Sequence, residues 1–229
     1  MGYLTEQAGL MERLFRAFRD LLAPVRGSLY LGVILTATVF AMATGIVGAA
    51  VTVLGIMAAP IMIKSGYDAR MASGAIAAGG TLGILIPPSV MLIVMGPVLG
   101  VSVSDLYAAA FGPGFLLAGL YIVYTLVRSF LNPKLGPPVP YAERVHDFKV
   151  IVREVILGII PLGLLIGATL GSILAGMATP TEAAAMGAMG AFVLAVAYGK
   201  FTFIGLKNAS ISTMNTSSMV LFLADRKST

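Results

Sequence analysis

The chain has 229 residues, 58% of them hydrophobic and 11% charged, with a net charge of +5 and a mean hydropathy of +0.96. Soluble domains carry about 25% charged residues, so the composition marks an integral membrane protein and excludes an ordinary soluble one. There is no cysteine, which removes disulfide frameworks, thiol catalysis and cysteine-based metal sites. The basic residues are dispersed along segment flanks, the pattern of positive-inside anchoring and not of nucleic-acid binding.

Residues 1–26 read as an amphipathic helix carrying Arg13, Arg16, Arg19 and Arg26, not as a cleavable signal peptide. The uncharged interval from Gly27 to Ile63 is too long for one crossing of roughly 20 residues and short for two. At its centre lies Ala43-Thr44-Gly45, so residues 27–63 are expected to form a re-entrant hairpin whose ends return to one side. The arginines before it, with Lys64 and Arg70 after it, would then share a face.

The next uncharged run, Met71 to Ser104, contains Gly79-Gly80-Thr81-Leu82-Gly83-Ile84-Leu85-Ile86-Pro87-Pro88-Ser89. Residues 71–97 are expected to be a broken helix. Pro87 has no N–H for the carbonyl of Gly83, and Pro88 has none for Ile84. Such a break is tolerated at membrane depth only where it lines a protected polar site, the place where secondary transporters hold ions and substrates. Carbonyl oxygens left free there suit a hard cation such as sodium.

From Gly100 to Gly112 the only charge is Asp105, so this segment is expected outside. A span over 113–131 returns to a basic connector with Arg128, Lys134, Arg144, Lys149 and Arg153, punctuated by Pro133, Pro137, Pro138 and Pro140. Spans over 155–175 and 183–198 follow, then a final apolar helix over 209–224 with Ser210, Thr213 and Ser217 at helical spacing. The expected fold is an all-α integral membrane protein, a multi-span helical bundle in one domain, 1–229.

At the hairpin tip, free carbonyls near Met42 and Ala43 would lie close to free N–H groups near Ile46 and Val47, offering ligands for a cation and an anion. The plainer reading is an interhelical turn with Thr44 as a cap. Thr179-Pro180-Thr181-Glu182 fits a capping box, with proline at the first helical position. Glu182 is also the only acid between Glu154 and Asp225, which leaves a part in gating or cation attraction open. Gly163, Gly167 and Gly171 form one small-residue ridge, and Ala183, Gly187, Ala191 and Ala195 form another. Both suit close helix packing. His146, the single histidine, sits among Glu143, Arg144, Asp147 and Lys149 and reads as a solvated residue. No second histidine or serine–histidine pairing supports an enzyme, and the thirteen methionines read as packing.

Ala43-Thr44-Gly45-Ile46-Val47-Gly48-Ala49, Gly66-Tyr67-Asp68, the Ala77 to Ser89 stretch, Gly112-Pro113-Gly114 and Gly176 to Ala185 together resemble the large permease subunit of tripartite ATP-independent periplasmic (TRAP) transporters, the DctM-like proteins. The resemblance implies a sodium-coupled, elevator-type importer of small organic acids built from inverted repeats. It would sit in a bacterial inner membrane with a small membrane subunit and a periplasmic substrate-binding protein, with sodium as coupling ion and no cofactor. It implies a sodium site formed by the tip and the broken helix, for which the candidates are Thr44, Gly45, Gly80, Thr81 and Gly83. Candidates for substrate contact or gating are Ile46, Pro87, Pro88, Ser89, Thr179, Thr181 and Glu182. Family members are longer, with a second hairpin and a second Pro-Pro break, so this chain looks truncated and is expected not to drive uptake even when supplied with the small subunit and the binding protein. The alternatives are a stand-alone sodium:dicarboxylate symporter of related hairpin architecture and a non-transporting membrane remnant.

Overall fold

The computed structural model describes residues 2–45, 47–138 and 148–225. Among the described residues there are ten α-helices and no strand. Ile46, Pro140, Glu143, Arg144, His146 and Asp147 lie outside them, so the expectations for those positions are not addressed by the fold.

The N-terminal segment forms two helices, α1 (Gly2–Gln7) and α2 (Leu10–Leu22), where the sequence suggested one. Gly9 separates them with a left-handed φ of 69°, a conformation that glycine adopts without Cβ strain. One face of α2 buries Leu10, Leu14, Phe15 and Ala17, while Glu12 and Arg16 pair on the open face at 3.2 Å. That apolar face lies between α3 (Ser28–Thr44) and α8 (Phe148–Leu174). The packing is close but not crowded: a methyl placed on Gly32 would lie 3.6 Å from the Phe15 ring, and one on Gly158 would lie 3.6 Å from the backbone at Arg13 and Leu14, both ordinary contacts.

Helices α3 and α4 (Val47–Lys64) form a hairpin whose two ends are tied together. The Leu29 N–H donates to the Tyr67 hydroxyl at 3.2 Å, and Ser28 Oγ lies 3.3 Å from the same oxygen. The connector after α7 (Val103–Leu131) closes onto this end, with Tyr30 Oη donating to the Leu135 carbonyl at 2.6 Å. The Gly27 and Asp68 N–H groups donate to the Gly136 and Leu135 carbonyls at 3.0 and 3.2 Å. The basic flanks at Arg26, Lys64, Arg70, Arg128 and Lys134 are therefore gathered at one end of the bundle, here called the base.

α5 (Ala69–Leu85) starts at the base, where the Asp68 carboxylate accepts the Met71 N–H at 2.8 Å. It runs without interruption through Gly79, Gly80 and Thr81, so the break is narrower than expected. It falls at 86–89. Ile86 is extended, at φ −92° and ψ 123°, as the residue before a proline is driven to be. The Pro87-Pro88 peptide is cis, and α6 (Val90–Leu99) leaves at 43° to α5.

Gly79 and Gly80 serve packing. A methyl on Gly79 would lie 2.9 Å from Ala37 Cβ of α3, and one on Gly80 would overlap Val51 of α4. Both arms of the hairpin thus seat on α5 through adjacent glycines.

α7 runs back to the base and begins at Val103, so Gly112 and Pro113, expected near a loop boundary, lie within the helix. At 1.5 Å per residue α7 is roughly 43 Å long and α3 roughly 25 Å. At that length α3 falls short of a hydrocarbon core of about 30 Å. α9 (Pro180–Ala197) and α10 (Phe203–Asp225) complete the order. Among the described residues, three helices are long and apolar enough to cross a membrane, α7, α9 and the 152–174 part of α8, or four if α5 and α6 count as one bent span.

Candidate functional site at the hairpin tip

The tip and the break are in contact. Gly45 has a φ of 62°, and a methyl placed on it would lie 2.9 Å from the Pro88 carbonyl oxygen, 3.3 Å from the Val90 nitrogen and 3.4 Å from Ser89 Cα. Two independent constraints therefore demand glycine at this position: the left-handed backbone and the close passage of a second chain segment. The break is fixed from its other side as well. Ile86 is fully buried with Ile34, Leu82 and Ala118, and Gly114 of α7 faces its side chain.

Next to this contact is a cavity of about 300 Å³, bordered by Ala43 at the tip, by Pro88, Ser89 and Val90 at the break, and by Tyr107 of α7. α8 contributes Thr169, α9 contributes Pro180 and Ala183, and α10 contributes Thr213 and Ser217. Ser89 is fully buried. Its carbonyl accepts from the Ile93 N–H at 3.3 Å and from Tyr107 Oη at 3.5 Å, but its Oγ has no hydrogen-bond partner among the described residues. An orphaned buried hydroxyl costs about 1–3 kcal/mol. A polar guest in the cavity would remove that cost. Among the described residues, no group of three or more His, Cys, Asp or Glu could hold a metal ion. A cation here would rest on backbone and hydroxyl oxygens.

The structure brings together Gly45, Pro88 and Ser89, with Pro87 buried in the same turn. Thr44 closes α3. Gly83 is buried in the last turn of α5, where Pro87 denies its carbonyl the helical partner. Gly80 lies under Val51. Thr81 is exposed, and its hydroxyl donates to the Ala78 carbonyl at 2.6 Å; neither is seated at the tip contact. The second polar knot is a complete capping box. Glu182 Oε2 accepts the Thr179 N–H at 2.8 Å, and the Glu182 N–H donates to Thr179 Oγ1 at 3.3 Å. Thr181 and Glu182 are exposed, while Pro180 in the same turn borders the cavity. Tyr107 and Thr169 escaped the sequence reading. The only signal for either was a polar group inside an otherwise apolar helix.

The family model described as the tripartite ATP-independent periplasmic transporter, DctM component, matches residues 1–225. The chain is 30% identical over 239 residues to the C4-dicarboxylate TRAP transporter large permease protein DctM of Rhodobacter capsulatus, covering 97% of this chain and 52% of that protein. It is 31% identical over 225 residues to the 2,3-diketo-L-gulonate TRAP transporter large permease protein YiaN of Escherichia coli, covering 97% and 51%. The sialic acid TRAP transporter large permease protein SiaM of Vibrio cholerae is also 31% identical, over 224 residues, with 97% and 51% covered. The chain thus spans about half the length of the curated relatives it matches. These relatives are named as transporter permeases, not as enzymes. With the family match running through hairpin, break and capping box alike, the chain belongs to the DctM family, the large permease component of TRAP transporters.

Proposed function

We propose that this chain forms the part of a sodium-coupled TRAP large permease in which one hairpin tip meets one broken helix, and that it works in a bacterial inner membrane. Sodium is taken by backbone oxygens released where α3 ends, at Thr44 and Gly45, and where α5 ends, at Gly83, together with the Thr44 and Ser89 hydroxyls. Gly80 and Thr81 stand behind them on α5. A small organic acid, delivered by a periplasmic binding protein and admitted in company with a small membrane subunit, occupies the adjoining cavity. Ile46, Pro87, Pro88 and Ser89 border its path, and Thr179, Thr181 and Glu182 form the gate-side turn. No cofactor takes part. The observation that carries this reading is the Gly45 contact with Pro88 and Val90 beside a cavity holding a Ser89 hydroxyl that has no partner among the described residues. The names of the relatives, which include C4-dicarboxylate and sialic acid carriers, support an acidic substrate.

The test is uptake into proteoliposomes containing the complete permease, its small subunit and its binding protein under an inward sodium gradient. Ser89→Ala and Thr44→Ala should each raise the sodium concentration for half-maximal uptake severalfold, on the order of one lost oxygen ligand. His146→Ala should leave it unchanged. Uptake that ignores sodium, or unchanged sodium dependence in both site variants, would overturn the proposal.

A further inference from the structure

A second cavity lies at the opposite end of the hairpin from the tip. It occupies about 550 Å³ between the first half of α5 and the last half of α7, and its mouth carries Arg70 and Arg128. Both side chains are exposed, and among the described residues neither guanidinium is in an ion pair. Asp68 also borders the cavity, but one oxygen of its carboxylate is engaged by the Met71 N–H at the start of α5. The mouth keeps a net positive charge.

The interior changes character with depth. On α7, Tyr124 and Tyr121 lie one and two turns from Arg128, on its face of the helix. On α5, Gly74 and Ala78 follow Arg70 at the same spacing, and all of them line the cavity. A methyl placed on Gly74 would meet nothing within 4 Å, so small residues leave a groove running roughly 12 Å from the arginines toward the bundle centre. The mouth also belongs to the base, where Arg26, Lys64 and Lys134 gather and where the positive-inside pattern puts the cytoplasmic leaflet.

We infer that this cavity binds one anionic phospholipid, with the phosphate held between Arg70 and Arg128, the glycerol region beside Tyr121 and Tyr124, and one acyl chain along the Gly74–Ala78 groove. A guanidinium pair matches phosphate oxygens, and anionic headgroups are concentrated on the cytoplasmic surface. A free phosphate would use the arginines but leave the apolar groove without a role. The lipid uses both.

The experiment is native mass spectrometry of the purified 229-residue chain released from vesicles of phosphatidylglycerol and phosphatidylcholine in equal amounts. One phosphatidylglycerol should be retained in preference to phosphatidylcholine. Arg70→Gln with Arg128→Gln should cut that retention about tenfold, the loss of at least one charge-assisted hydrogen bond. Gly74→Leu, which keeps both arginines but fills the groove, should cut it as well, and Arg153→Gln on α8 should not. Circular dichroism confirms that each variant remains helical, and the groove variant keeps the test open should the arginine pair fail to fold. Equal retention of both lipids, or retention indifferent to the double variant, refutes the site. Displacement of the lipid by excess inorganic phosphate would show a free-anion site and overturn the lipid assignment.

Discussion

The glycines of α5 and those of α8 look alike in the sequence and have opposite surroundings. Gly79 and Gly80 are buried, each beneath an arm of the hairpin, whereas Gly163, Gly167 and Gly171 are exposed with nothing within 4 Å of a methyl at any of them. The ridge on α9 falls on the packed side: Ala183, Gly187, Ala191 and Ala195 are its buried residues. A small-residue ridge permits close approach of another helix; it does not establish that one is there. Where an arm does lie on it, the glycine becomes irreplaceable.

The strongest challenge to this contrast is Gly80→Val. The new side chain would overlap Val51, and overpacking of a tight contact costs about 3 kcal/mol, so the thermal unfolding midpoint in detergent should fall sharply. A midpoint close to that of the parent would mean α4 is not seated on α5. Gly45→Ala comes next, at about 2 kcal/mol for a left-handed backbone with a Cβ, and crowding against the Pro88 carbonyl adds to it. The same unfolding measurement reads that loss, and cysteine cross-linking of tip to break would reveal any separation. Thr179→Ala removes a capping hydroxyl and should cost about 1 kcal/mol, measurable by urea-dependent loss of helicity. Smallest is Gly167→Ala, expected to change stability by no more than about 0.5 kcal/mol. A large loss there would show that the α8 ridge is occupied after all.

The elements that could be read correctly from the residues are those whose cause lies within a few positions. Pro87-Pro88 ends α5 because two consecutive residues lack the N–H that the helix needs. Thr179-Pro180-Thr181-Glu182 starts α9 because a cap, a proline and a reciprocal carboxylate sit at the required offsets. The hairpin followed from an uncharged length unsuited to one crossing or two, together with the side on which its basic flanks had to lie. Gly79-Gly80-Thr81 misled as part of the break because its glycines, locally unfavourable in a helix, are explained only by Ala37 and Val51, residues of two other helices. The candidate site divides in the same way. Gly45, Pro88 and Ser89 stood out in their own segments, while Tyr107 and Thr169 became visible only once α7 and α8 were in place around the cavity.

Composition, charge spacing and local backbone chemistry by themselves determined a helical membrane protein with one hairpin, one proline break and one capped helix, since each depends on hydrogen bonds and charges a few residues apart or on the run of apolar length. Tertiary structure alone decided that Gly45 rests on the Pro88 carbonyl, that α5 carries both hairpin arms on adjacent glycines while the α8 ridge stays open, and that the Ser89 hydroxyl is buried without a partner among the described residues. These depend on which helix comes within van der Waals distance of which, and that is set by the packing of segments far apart in the chain.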